Sequence, residues 1–289
     1  MKASDTAHSP RVASRQLPAV VVLAGHDPTG GAGLVADAEA IGACGAWPLT
    51  IPTALTVQSS ADVSAVMPCD PDGMRDMAAA LDEFSVAAIK VGLIASLETL
   101  DAVVDIVRRF PGVPLVMDPV LKAGGGRELS SLELRDAFRE RLLPRVDILT
   151  PNRLELARLA GDAPSSDTDR AIALLSLGCQ AVLVTATDDP LPGSDQRQVI
   201  HTLHTPDEGR QWHWPRLPGR FHGSGCTLAA ALAARLACGE RLLPACEQAQ
   251  AYTWETLEHG WLPDPQRHRG QALPRRLWRH PAWSDRHDD

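Results

Sequence analysis

Five short stretches of the chain are almost unbroken in apolar residues: Ala19 to Gly25 (AVVVLAG), Val86 to Gly92 (VAAIKVG), Val113 to Asp118 (VPLVMD), Val146 to Thr150 (VDILT) and Ala181 to Thr185 (AVLVT). Each is bounded by Gly, Pro or Asp, and none alternates as a strand with one wet face would. The pattern predicts parallel strands buried on both faces. Between them lie GLVADAEAIGACG, DGMRDMAAALDEF, LETLDAVVDIVRRF, LELRDAFRERLL and TDRAIALLSLG, whose apolar residues recur at helical spacing. Strand and helix alternating in this way predict right-handed βαβ units and a sheet covered on both sides. Residues Arg197 to Trp214 read as two antiparallel strands joined by TPDEGR, and two helices, Gly225 to Cys238 and Leu243 to His259, follow.

No linker or repeat interrupts this order. The reading is one domain over residues 18–261, with a disordered N-terminal tail at 1–17 and a Pro-, Arg- and His-rich C-terminal tail at 262–289 that packs loosely or not at all. The first residues lack the apolar core of a signal peptide, and no apolar run reaches the roughly 18 residues of a membrane span. With 289 residues, 44% hydrophobic, the chain can bury a full core. Its net charge of −8, without a Lys/Arg run, argues against nucleic acid as a partner and leaves small molecules. Six scattered cysteines, without CxxC pairs, argue against a zinc site or a disulfide framework and fit a reducing cytoplasm.

In sheets of this kind ligands sit outside the carboxyl ends of the strands, and the unusual residues fall there. GHDPTGGAG (Gly25 to Gly33) follows the first strand and is neither GxxxxGK[ST] nor GxGxxG, so it reads either as a tight turn or as a ligand loop. Asp37, one helical turn beyond Gly33, is expected to face the same rim and to bond a ligand amine or hydroxyl. Gln58, closing TALTVQ, offers donor and acceptor together, which suits the edge of a nitrogen heterocycle. Asp118 and Glu155 each put a carboxylate just past a strand, where Mg²⁺ accompanied by nucleotide phosphates could be held. Asn152 and Glu155 also have the spacing of a capping box, and both readings stand together. HGSGCT opens a helix with glycines, leaving amides free for an anion, and the same field should depress the pKa of Cys226.

Taken in order, AGHDPTGGAGLVAD, TALTVQ, KVGLIAS, DPVLKAGGG, TPNRLE and HGSGCTLAAALAARLA resemble the hydroxymethylpyrimidine/phosphomethylpyrimidine kinases of the ribokinase-like superfamily. The resemblance runs from about Val20 to about His259. It implies a three-layer α/β/α sandwich around a mainly parallel sheet, and a homodimer. The implied reaction is ATP- and Mg²⁺-dependent phosphorylation of hydroxymethylpyrimidine, then of its monophosphate, in thiamine synthesis. The resemblance assigns Asp37, Thr56, Gln58, Leu93 and Val120, with Ala32 and Gly33 of the turn, to the pyrimidine. It makes Cys226 the base on the hydroxymethyl group and Gly223, Ser224 and Gly225 the anion hole. Asn152 and Thr185 fall to the nucleotide, and Asp118 and Glu155 to Mg²⁺.

Two departures stand out. TATDDP (Thr185 to Pro190) replaces a glycine-containing stretch that flanks the nucleotide in the family, and AGGG (Ala123 to Gly126) replaces AKSG. The first brings in a non-catalytic pyrimidine-binding protein as a rival reading. Pyridoxal kinase, with an overlapping ring and hydroxymethyl group, is another.

Overall fold

The structure, a computed structural model, describes residues 16–121, 131–161, 166–187, 195–264, 266 and 270–279. Most of the expected N-terminal tail, AGGG and Asp188 to Pro190 lie outside the described residues. Among the described residues nine strands form one sheet in the order β3-β2-β1-β4-β5-β6-β7-β8-β9. These are β1 (Ala19–His26), β2 (Trp47–Gln58), β3 (Val63–Pro68), β4 (Val86–Val91), β5 (Leu115–Met117), β6 (Ile148–Leu149), β7 (Ala181–Val184), β8 (Gln198–His204) and β9 (Gly209–Pro215). From β2 to β7 the neighbours run parallel, whereas β3, β8 and β9 pair antiparallel at the two margins. Among the described residues the α-helices are α1 (Gly33–Ala43), α2 (Pro71–Ala79), α3 (Leu97–Arg108), α4 (Leu132–Arg141), α5 (Arg153–Ala160), α6 (Asp167–Ser176), α7 (Ser224–Ala237) and α8 (Leu242–Glu258).

The apolar strands are explained by where their alternate side chains go. Val21 and Leu23 of β1 join Ile89, Leu100, Leu142 and Leu174 under the layer of α2 to α6. Val20, Val22 and Ala24 join Ala88, Val116, Leu228 and Ala231 under α1, α7 and α8. Both faces are dry, so neither set can be polar. The three-layer expectation holds. The sequence pattern missed β3, an edge strand whose VSAVMP residues are mostly half-buried or exposed.

The loose C-terminal tail is corrected for residues 270–279. Leu273 and Arg276 are buried. Leu273 exchanges backbone hydrogen bonds with Trp261, and Ala272 does so with Arg220 and His222. Basic and proline-rich composition gave no sign of this docking.

Beneath α8, His201 Nδ1 and Trp214 Nε1 each lie 3.0 Å from Gln250 Oε1. Burial pushes the His201 imidazole down to about 4, although the bond to Gln250 works the other way. The unfolded chain therefore takes up this proton first. The stability held by neutral His201 is complete above pH 6.5 and is lost as pH falls toward 4, at no more than about 1.4 kcal/mol per pH unit. Denaturant titrations at several pH values should show this loss in the wild type and its absence in His201→Gln. Parallel pH profiles for the two proteins would contradict it.

Candidate active site

Strand order reverses at β1: β2 lies on one side of it and β4 on the other, which opens a crevice at their carboxyl ends. The turn after β1 is wrapped around one carboxylate. Asp27 accepts hydrogen bonds from Thr29 N and Ala32 N at 2.8 Å each and from Thr29 Oγ1, and His222 Nε2 lies 2.7 Å from its Oδ2. Burial alone would raise the Asp27 carboxyl. The bonds from His222 and Thr29 outweigh it and hold the group below the ordinary carboxylate value. Two glycines let the backbone close this tightly. A Cβ on Gly33 (φ +60°) would sit 2.1 Å from the Gly25 carbonyl, and one on Gly223 (φ +81°) would sit 1.8 Å from the Gly31 carbonyl.

On one side of the turn Thr56 and Gln58 are joined by hydrogen bonds, and Leu93 lies against Gly25. Thr56 Oγ1 donates to the His26 carbonyl, and Gln58 Nε2 donates to Thr56 Oγ1, each at 2.8 Å. Leu93 packs over Gly25, and its carbonyl accepts from Thr53 Oγ1. Val120, half-buried, follows β5, while Ala32 and Gly33 form the start of α1. The amide nitrogen of Gln58 is thereby committed to Thr56. Gln58→Ala should weaken calorimetric pyrimidine binding by about 10- to 100-fold, the value of roughly 1–3 kcal/mol for groups left unpaired. Unchanged affinity would remove Gln58 from the pocket.

Asp37 departs from expectation. It is fully buried beneath the rim, and its Oδ2 accepts from Lys90 Nζ at 2.7 Å. The cause is Lys90, which nothing in the sequence pattern singles out: it stands in β4 in register with Val22, on the face covered by α1 and α7, and is itself fully buried. Room for its tip comes from Gly92, where a Cβ would lie 2.9 Å from Nζ. Burial lifts the Asp37 carboxyl to about 6 while Lys90 pulls it back. Burial by itself would lower Lys90, but Asp37, Cys226 and Asp118 together hold it above the ordinary lysine value.

Cys226 stands in the first turn of α7 as predicted, beside Asp118 at the end of β5. Its acidity is the reverse of the expectation. Burial pushes the thiol up to about 12, with Asp118 and Asp37 adding to the rise and Lys90 opposing it. Desolvation outweighs the helix field here. Burial raises Asp118 too, while Lys90 and a hydrogen-bonding interaction with Cys226 lower it.

The helix start itself is open. Gly223 is its left-handed N-cap and offers no side-chain cap, and Gly225 is exposed, whereas α3 and α5 are closed by capping boxes. Asn152 and Glu155 form the second of these, with Asn152 N donating to Glu155 Oε2 at 2.9 Å and Glu155 N to Asn152 Oδ1 at 2.8 Å. Asn152 also bridges to Thr185, whose N–H donates to the Pro151 carbonyl. Beyond Thr185, Arg216 donates to the Thr187 carbonyl at 2.9 Å and to that of Ala186. An arginine thus fixes the backbone where the resemblance calls for glycines. Among the described residues no group of three or more His, Cys, Asp or Glu could hold a metal. Asp118 and Glu155 suit an ion carried in with nucleotide phosphates, which needs only one or two protein carboxylates.

Residues 27–269, spanning this whole constellation, match the family model described as phosphomethylpyrimidine kinase. The chain belongs to that family. The hydroxymethylpyrimidine/phosphomethylpyrimidine kinase of Salmonella typhimurium is 35% identical over 221 residues, covering 74% of this chain and 81% of that enzyme. The thiamine biosynthetic bifunctional enzyme of Arabidopsis thaliana is 32% identical over 254 residues, 85% of this chain. The chain spans about half of that longer relative, 47% of its length. Among solved structures, an ADP complex of Bacillus subtilis pyridoxal kinase superposes with a TM-score of 0.81 at 24% identity, covering 92% of this chain and all of that one. That likeness establishes the ribokinase-like fold of the family member described here.

Proposed function

We propose that this phosphomethylpyrimidine kinase family member transfers the γ-phosphoryl group of ATP to hydroxymethylpyrimidine, and then a second one to the monophosphate. The observation that carries the reading is the N-terminus of α7. Its open amides at Gly223 to Gly225 adjoin Cys226, Asp118 and Lys90 on one side and the turn that leads to Thr56 and Gln58 on the other. Such amides stabilise charge on a transferring phosphoryl group, and most of the catalysis is positioning. The ADP bound by the Bacillus subtilis neighbour supports ATP as the donor. Asn152 and Thr185 border the nucleotide, and Glu155 directly and Asp118 through a water would hold Mg²⁺, which would supply charge neutralisation between phosphates and leave Asp118 able to take a proton.

Because the resting thiol is protonated, Cys226 acts as a relay. Its Sγ takes the proton of the hydroxymethyl group while its own proton passes to Asp118, and the freed oxygen bonds to phosphorus as ADP leaves. Lys90 offsets the charge of this acid cluster. Leu55, Val57 and Met67 expose apolar surface on the β2–β3 arm, which supports a homodimer. No helix among the described residues is long and apolar enough to cross a membrane, and the free cysteines fit a cytoplasmic setting.

Phosphorus NMR of a reaction with ATP, Mg²⁺ and hydroxymethylpyrimidine should show the monophosphate first and the diphosphate after it. Absence of both signals would refute the reading.

A further inference from the structure

We propose that Arg276 is a positioning residue for phosphoryl transfer, setting the aim of the Gly223 to Gly225 amides from a segment beyond the family-matched residues 27–269. The inference rests on the function proposed above and adds a residue to its machinery. The Arg276 side chain is 2% exposed, and all three of its nitrogens are engaged. Nε donates to Thr227 Oγ1 at 2.8 Å, and Nη1 to the Gly30 carbonyl at 3.2 Å and to Glu39 Oε2 at 3.3 Å. Nη2 donates to the Gly31 carbonyl. A planar guanidinium can hold acceptors in a turn, α1 and α7 at once, whereas a lysine ammonium has no such fixed fork.

What these acceptors do gives the contact its meaning. Thr227 Oγ1 donates in turn to the Gly223 carbonyl at 2.8 Å, so Arg276 grips the first turn of α7 through its N-cap. The Gly31 carbonyl is the atom against which Gly223 packs so closely that no Cβ would fit. The two loops that must meet over a phosphoryl group, the turn after β1 and the start of α7, are therefore joined through one side chain. Its own placement is fixed as well. Tyr252 O–H donates to the Arg276 carbonyl at 2.9 Å, and Leu273 packs against Gly31 in the same segment. None of these hydrogen bonds involves Thr56, Gln58 or Leu93, the residues proposed to face the pyrimidine.

This geometry separates turnover from pyrimidine binding. A misplacement of about 1 Å at a reacting centre can cost on the order of 100-fold in rate. Arg276→Ala in the full chain should lose about 10- to 100-fold in kcat, with the pyrimidine KM changed less than about 3-fold. Guanidinium ion, at a concentration that leaves the wild type unaffected, should restore part of that kcat. Arg276→Lys should recover little. Thr227→Val, of nearly equal size, should also lose kcat because the link through Oγ1 is gone, and it carries the test if Arg276→Ala does not fold.

Titration calorimetry with a non-hydrolysable ATP analogue reads the anion hole without turnover and should show weaker binding in both variants. Folded variants that keep kcat within about 2-fold of wild type and bind the analogue normally would overturn the proposal. So would a kcat loss that guanidinium does not relieve and that is matched by an equal rise in pyrimidine KM, the pattern of general loosening. A wild-type protein inactive on pyrimidines contradicts the proposed function instead, and analogue binding then decides the role of Arg276.

Discussion

Replacing Cys226 by alanine is expected to lower kcat by about 10²- to 10⁴-fold, the usual value of a placed proton-transfer group, with little change in melting temperature. The side chain is small and stands in the first turn of α7, so its loss removes little packing. The relay adds a finer expectation. Cys226→Ser still carries a proton that can pass to Asp118, so it should retain more activity than Cys226→Ala. A base acting as a standing thiolate would leave both variants equally inactive. With the resting thiol near 12, alkylation by iodoacetamide should be slow at neutral pH and should climb with pH without levelling off below pH 9. A plateau near neutrality would mean that the helix field outweighs burial after all. Near-native kcat in Cys226→Ala would return this cysteine to a packing role.

The second large effect belongs to Lys90 and Asp37. Lys90→Met strands a buried carboxylate and should cost about 3–5 kcal/mol of stability. Asp37 already has one oxygen, Oδ1, without a hydrogen-bond partner, and loss of Lys90 would leave Oδ2 without its ammonium as well. The double variant Lys90→Met/Asp37→Leu exchanges the pair for apolar side chains and should return close to wild-type stability, because such replacements are often neutral. Its activity should not return. Without the ammonium, Asp118 and Cys226 both lose the charge that opposes their rise in pKa. Urea titration and kcat, measured side by side on the single and double variants, check this. A double variant that recovers both stability and kcat would make the pair structural only.

The central strands were legible in the sequence because both their faces are dry, and a short unbroken Val/Ile/Leu run between turn residues suits a doubly covered strand. The site motifs were legible for a related reason. Glycines such as Gly33 and Gly223 mark close backbone approaches that no other residue permits. What stayed hidden was the pairing of charges across the fold. Lys90 sits in VAAIKVG, a run read as a doubly covered strand, and nothing local shows that Asp37 of α1 meets its ammonium across the fold. Asp37 sits at the right spacing for the rim, but helical phase directs it inward against Lys90 of β4 in the middle of the sheet. The acidity of Cys226 depended on how deeply it is desolvated and on Asp118 beside it, neither of which is a local property. Arg276 was hidden by its surroundings, since nothing in LPRRLWRH distinguishes a buried clamp from a solvated tail.

Which acceptor the enzyme uses is decided by an ADP-release assay. Purified protein with ATP and Mg²⁺ is offered hydroxymethylpyrimidine, its monophosphate and pyridoxal in parallel, and kcat/KM is compared. The pocket built on Gln58 and Thr56 predicts ADP release with both pyrimidines, at values at least about tenfold above pyridoxal. Equal or greater turnover of pyridoxal would move the protein to the vitamin B6 branch, and pyrimidine binding without ADP release would contradict the assignment as a kinase.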